Sequence, residues 1–269
     1  MLLRDVGPLS VSLMRVSIAA ATVWVYVTAT GQYEPVSGSA LAAMAVLGTL
    51  MFAVPFAIYP LGQQYVASAV AGIVNALTPV MVVVISHFWP GGERATLPKS
   101  LGVLAGFIGI LLLTIPAFNS GETTRVFGTL VIVLAPVSYA CAMNWVRRLS
   151  GTPVPVMVAW AFTFAAVLLL PVVRLVEGVP DGLSSVSIVS GLVLGTVLTG
   201  ASFLIAFQIL PRAGATKTST VTFIAPVSAL LIGWLVLGED LGTPHFLGMI
   251  AIFLGLLLID GRVFRRKVN

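Results

Sequence analysis

Charge is what this sequence lacks. Of 269 residues only 9% are Asp, Glu, Lys or Arg, while 58% are hydrophobic. A water-soluble surface needs roughly a quarter of its residues charged, so an ordinary soluble domain is excluded. Cysteine is almost absent as well. The single Cys141 excludes an intrachain disulfide, and no Cys or His stands near it at metal-ligand spacing, so it reads as a helix-packing residue. No metal site and no cofactor are expected. A phosphate-cradling Walker loop is missing, which argues against direct ATP hydrolysis. So is any nucleophile, base and acid set, which argues against an intramembrane hydrolase, and the chain is not expected to be an enzyme.

What the sequence has is apolar length, with a mean hydropathy of +1.08. Polar, Gly and Pro clusters divide it into nine apolar spans, at about 8–30, 38–60, 66–87, 97–115, 127–147, 153–175, 186–209, 213–237 and 243–261. An outer-membrane barrel would instead alternate apolar and polar residues in segments of about 10. The first span is too long for a cleavable signal peptide, lacks a basic n-region and is followed at once by further spans. The expected fold class is an all-α polytopic membrane protein with nine transmembrane helices, surrounded by membrane lipid and with no room for a separate soluble domain.

The formal charge is +5. Nucleic-acid binding would need a clustered basic face. Here the basic residues lie in short loops and the tail, which is a topology signal, because cytoplasmic loops carry the excess. With the tail inside, Arg94, Lys99, Arg147, Arg148, Arg212, Lys217, Arg262, Arg265, Arg266 and Lys267 are cytoplasmic. Arg4, Arg125 and Arg174 fall outside, and Arg15 lies within the first span. The C-terminus is therefore expected in the cytoplasm, in an inner or plasma membrane.

An internal repeat runs through the chain. Val46-Leu47-Gly48-Thr49 recurs 147 residues later as Val193-Leu194-Gly195-Thr196, and Thr78-Pro79-Val80 matches Ala225-Pro226-Val227 at the same offset. After a one-residue slip, Glu93 pairs with Glu239, Gly102 with Gly248 and Gly109 with Gly255. The period holds five helices, an odd number, so the copies enter the membrane from opposite sides. The expected domains are a first repeat at 1–118 and a second at 119–269, with four plus five helices.

These residues resemble a known family. Leu210-Pro211-Arg212-Ala213-Gly214-Ala215, Ala225-Pro226-Val227, Gly238-Glu239-Asp240-Leu241, Gly248 and Gly255 look like the second repeat of an EamA-type transporter of the drug/metabolite transporter superfamily. Pro8, Arg15, Ala67-Ser68, Thr78-Pro79-Val80, Gly92-Glu93, Gly102 and Gly109 show the same signature more weakly. The resemblance covers essentially the whole chain and implies ten helices as five plus five, with both termini cytoplasmic and amino acids, other metabolites or drugs as cargo. Arg4-Asp5-Val6-Gly7-Pro8 resembles the loop after the family's first helix, so the first repeat is expected to lack that helix.

Candidate substrate-binding residues follow from the cost of polar groups in lipid. Arg15 stands about 10 Å along the first span. It either binds a substrate carboxylate or phosphate, or serves structure by snorkelling or pairing with backbone carbonyls. Asn75 and Thr222 are repeat equivalents, each four residues before a proline, Pro79 or Pro226, that frees their carbonyls. Matched helix breaks of this kind point to a midplane site. Thr78 adds a hydroxyl. Lys217 attracts an anion or anchors its helix at the interface, and Trp160, read as the repeat counterpart of Arg15, walls a cavity or packs. Tyr139, Asn144 and Gln208 are further candidates, while His87 with Trp89 reads as an interfacial anchor.

All nine acids fall in loops or at helix ends, so no buried carboxylate is placed to drive proton coupling. Glycines four apart, Gly102 with Gly106 and Gly191 with Gly195, allow close helix packing or a homodimer face. The expected function is secondary transport of small metabolites, amino acids or related compounds, by alternating access. The alternative is a non-transporting scaffold or receptor subunit built on the transporter fold.

Overall fold

The structure is a computed structural model that describes residues 6–119, 123–178, 182–208, 228, 231–238 and 241–260. Among them there is helix and no strand. The elements are α1 (Pro8–Ala29), α2 (Gly38–Gly62), α3 (Ser68–Phe88), α4 (Leu97–Asn119), α5 (Thr123–Leu149), α6 (Val154–Val176), α7 (Ser185–Gln208) and α8 (Thr243–Asp260). Six of these, α1, α2, α3, α5, α6 and α7, are long and apolar enough to cross a membrane, and α4 and α8 contain shorter apolar stretches. Helices are what such a sequence must form in lipid, because each satisfies its own backbone polar groups where no water can. The predicted span at 213–237 lies mostly outside the described residues; of it, residues 231–235 are helical.

Local chemistry sets the helix ends. Pro8 sits at the first position of α1, where its missing N–H costs nothing. Ser37 and Ser184 cap α2 and α7, accepting from Ala40 N and Ser187 N at 3.2 Å. Four of the five positive-φ glycines among the described residues stand in pairs 147 residues apart, Gly31 (64°) with Gly178 (75°) and Gly91 (71°) with Gly238 (64°); the fifth is Gly151 (96°). Gly31 and Gly178 follow α1 and α6, where Gln32 N and Gly178 N reach back to the Val27 and Val173 carbonyls at 3.0 and 3.1 Å. The extra residue at the junction after α3 is then Gly92, which has no counterpart between Gly238 and Glu239.

The chain forms two compact units, one from residues 1–60 and 145–214, the other from 61–144 and 215–269. In the first, α1 and α6 run antiparallel. Glu177, just past the end of α6, accepts from Leu9 N (2.8 Å), Ser10 N (2.7 Å) and Ser10 Oγ (2.7 Å) at the start of α1. At the other end Trp24 Nε1 donates to Thr163 Oγ1 at 2.9 Å. The first-turn amides of α1 thus find their acceptor in a carboxylate about 168 positions away, where the positive end of the helix dipole favours it. Gly48 lets α2 meet the Ala161 carbonyl of α6, and Gly191 lets α7 meet Met14 of α1.

The second unit is organised around α4 and α8, which cross through glycine. A β-carbon on Gly102 would lie 2.5 Å from the Gly255 carbonyl oxygen, and one on Gly255 2.5 Å from that of Gly102. Gly109 and Gly248 repeat the arrangement at 2.7 and 2.8 Å. Backbone approaches backbone at these four glycines, with Ile252, Ile259 and Leu113 packed beside them, which is how helices gain packing in a solvent as apolar as they are. Ser86 Oγ donates to Asn144 Oδ1 (3.0 Å), and Asn144 Nδ2 to the Ala140 carbonyl (3.0 Å), so this buried polar pair is internally satisfied.

Candidate functional site

Both α2 and α7 depart from α-helical winding, at positions 147 residues apart. Residues Thr49–Ala53 and Thr196–Ala201 form π-helical turns, each immediately after a Val-Leu-Gly segment. A π turn wraps one extra residue, is rare, and is frequently found at functional sites. In α7 the turn carries Thr199, which is fully buried. Its hydroxyl donates to the Leu194 carbonyl at 2.7 Å and accepts from Arg15 Nε at 2.7 Å.

Arg15 is held on a second side. Its guanidinium carbon lies 3.9 Å from the centroid of the Phe56 ring, a cation–π contact worth about 2 kcal/mol or more where it is desolvated. The Ser12 hydroxyl, one turn earlier on α1, bonds the Phe56 carbonyl at 2.5 Å and fixes that backbone. The permanent charge of Arg15, within a membrane-spanning helix, therefore has an aromatic face beneath it and a hydroxyl at its Nε edge.

The same layout occurs a second time without charge. At the 147-residue offset Arg15 corresponds to Phe162, Thr199 to Phe52 and Phe56 to Phe203. Phe162 stacks on Phe52 (centroids 3.9 Å, 22°), as Arg15 meets Thr199, and Phe162 meets Phe203 edge-on at 6.0 Å, as Arg15 meets Phe56. Phe56 and Phe203, counterparts of each other, are 6.2 Å apart. The counterpart of Arg15 is thus Phe162; Trp160, expected in that role, is two residues off.

Trp160 belongs to a different cluster. It meets Trp24 edge-on (5.3 Å, 87°) and stacks on Phe164 (5.6 Å). Trp24 is nine residues beyond Arg15, about 13 Å further along α1. The Trp24 N–H is satisfied by Thr163, whereas the buried Trp160 Nε1 has no partner among the described residues. Gln208 Nε2 donates to Tyr26 OH at 3.3 Å near the same end of α1.

The remaining predicted residues lie in the second unit or outside the described residues. α3 is interrupted between Asn75 and Thr78, with Ala76 N and Leu77 N turning back to the Ile73 and Val74 carbonyls at 3.1 and 3.0 Å. Pro79 provides no N–H for the Asn75 carbonyl, and Thr78 Oγ1 fills the gap at 2.8 Å. The Thr78 hydroxyl proton is therefore spent on the backbone. Lys217, Thr222 and Pro226 lie outside the described residues. His87 accepts from Ala95 N through Nδ1 at 3.0 Å, which ties it to the following loop. Among the described residues no group of three or more His, Cys, Asp or Glu is arranged to hold a metal.

Sequence reading had missed Thr199, Phe56 and Glu177. Val-Leu-Gly-Thr was recognised as a repeat, yet nothing in a hydropathy pattern separates a π turn from an α turn. A comparison of residues at the 147 offset would have exposed the unlike pair Arg15 and Phe162.

Six helices long and apolar enough to cross a membrane define, among the described residues, a polytopic integral membrane protein. The sequence profile of the EamA-like transporter family matches residues 1–115 and 126–260, and the chain belongs to this family. Its members are transporters, and it is not an enzyme. The uncharacterized transporter YoaV of Bacillus subtilis is 28% identical over 269 residues, covering 99% of this chain and 91% of that protein. Protein PecM of Dickeya dadantii is 25% identical over 82% of this chain and 75% of its own length. A solved crystal structure, 21% identical, shares the fold with a TM-score of 0.67 over 97% of this chain and 90% of that one.

Proposed function

We propose that the protein is a secondary transporter that moves small metabolites bearing an anionic group, amino acids or related compounds, by alternating access across an inner or plasma membrane. The observation that carries this reading is Arg15 set against its apolar twin. Arg at a helix centre costs about 2.5–3.5 kcal/mol on insertion scales. The Phe162–Phe52 stack is an apolar packing of the same local geometry in the same unit, so packing alone does not require the cation. A guanidinium steadied by Phe56 and Thr199 suits a carboxylate, which it can bind through two parallel hydrogen bonds.

The paired π turns, the paired positive-φ glycines and the antiparallel α1/α6 and α4/α8 packings support the inverted repeat, with domains at 1–118 and 119–269. The broken α3 supports Asn75 and Pro79 as a helix-break element of the transport path, with Thr222 and Pro226 as its counterpart. The Trp160 indole N–H, without a partner among the described residues, supports a donor to cargo, and Lys217 adds an attracting charge. The loop Lys/Arg distribution supports a cytoplasmic C-terminus. The test is flux in proteoliposomes across the twenty amino acids, each paired with its amide, which lacks the carboxylate. Saturable flux of an acid that its amide fails to compete with is the expected result. No saturable flux for any acid sinks the reading.

A further inference from the structure

We propose that Thr199 is a positioning residue for Arg15, and that the Arg15 contact holds the turn Thr196–Ala201 in its π form. An anionic group seated on Arg15 is thereby coupled to the register of α7. The inference rests on Arg15 being the anion site and goes one step past it.

Three observations carry it. Thr199 has a single hydroxyl proton, and it is committed to the Leu194 carbonyl, five residues earlier. Its lone pairs are therefore what Arg15 Nε meets, in a place with no solvent exposure to compete. Second, Gly195 and Gly200 both press against α1. A β-carbon on Gly195 would lie 2.5 Å from Ile18 Cβ, and one on Gly200 3.2 Å from Thr22 Cβ. Residues five apart on an α-helix point about 140° away from each other, so the π winding is what brings both glycines onto α1. Third, the twin turn Thr49–Ala53 is also π-wound and carries the Phe52–Phe162 stack at the same position, so each turn is anchored by a contact there and only the anchor of α7 is one that an anion can displace.

Relaxing the turn to α winding removes one residue from it and rotates the C-terminal remainder of α7 by about 100°. Thr199 would leave Arg15, so contact and winding stand or fall together. An anion that takes the Nε edge of the guanidinium competes with the Thr199 hydroxyl and withdraws what favours the π form. Cargo binding is thereby converted into a rotation of α7.

The test uses the full chain in lipid nanodiscs and proteoliposomes, with Arg15→Met, Thr199→Val and Thr199→Ser. By hydrogen–deuterium exchange without cargo, amides 196–201 are expected to exchange about ten-fold more slowly in Arg15→Met and Thr199→Val, because α hydrogen bonds replace the poorer π ones. Thr199→Ser and the turn at 49–53 keep the wild-type rate. For the amino acid that wild type carries fastest, Thr199→Val lowers KM, because the anion no longer displaces a hydroxyl, and cuts the maximal rate about ten-fold, because binding no longer turns α7; Thr199→Ser restores both. Unchanged or faster exchange at 196–201, or an unchanged or raised KM in Thr199→Val, overturns the coupling and leaves Arg15 as the anion site. Flux that survives Arg15→Met overturns the parent reading instead. If wild type carries none of the twenty, the parent reading falls, and exchange still decides whether the Arg15 contact holds the π turn.

Discussion

Arg15 donates to Thr199 at 2.7 Å in the position where, 147 residues on, Phe162 stacks on Phe52 at 3.9 Å. One fold element therefore appears in a charged and an uncharged version within one unit. The uncharged version shows what packing alone requires, and the proposed anion site rests on the difference.

Replacing Arg15 should separate stability from transport. Arg15→Met keeps length and removes charge, so it is expected to leave thermal stability in detergent unchanged or raised by about 1–2 kcal/mol, as when apolar groups replace buried ions. Flux of carboxylate cargo should fall at least ten-fold. A large loss of stability with normal flux in the surviving protein would mark Arg15 as structural.

Glu177 should matter for folding. Glu177→Ala removes the acceptor of two backbone amides and the Ser10 hydroxyl at the start of α1. A loss of about 1–2 kcal/mol is expected, in line with helix-capping residues and the dipole interaction. Thermal unfolding in detergent reads it, and hydrogen exchange should rise at residues 9–11 before it rises elsewhere in α1.

The glycine crossing of α4 and α8 predicts a non-additive pair. Gly102→Ala and Gly255→Ala each push a β-carbon onto a carbonyl oxygen 2.5 Å away, and each should cost about 1–3 kcal/mol. Because either change already forces the same two helices apart, the double variant should cost clearly less than the sum. Full additivity in thermal unfolding would contradict the shared contact.

Thr78→Val leaves the Asn75 carbonyl without the hydroxyl that Pro79 makes necessary. A cost of about 1 kcal/mol is expected for the loss of this part-buried hydrogen bond. In the Thr78→Val, Pro79→Ala double variant residue 79 regains an N–H able to take the i−4 carbonyl. Stability should then return, as thermal unfolding would show, while flux stays reduced because the break is gone.

Much of the fold was legible in the sequence. The predicted spans at 8–30, 38–60 and 153–175 correspond to Pro8–Ala29, Gly38–Gly62 and Val154–Val176, because a helix in lipid is specified by apolar length that local composition reveals. The interruption of α3 before Pro79 was legible for the same reason, since a missing N–H acts on its own turn. Of the site, Arg15 was legible as a charge among apolar neighbours. Its partners were not, and Trp160 was matched to it by a position two residues off.

The sequence by itself determined the membrane class, the positions of the six long helices and the α3 break, all of which come from hydropathy and backbone chemistry read along the chain. Tertiary structure decided that Arg15 faces Thr199, 184 positions away, that Phe162 and Phe52 form its uncharged twin, and that Glu177 closes the start of α1. The physical reason is that hydropathy says a segment enters lipid without saying which way each side chain turns. That direction is set by helix winding and by close approach at glycine, and two π turns and a few glycines made the choice here.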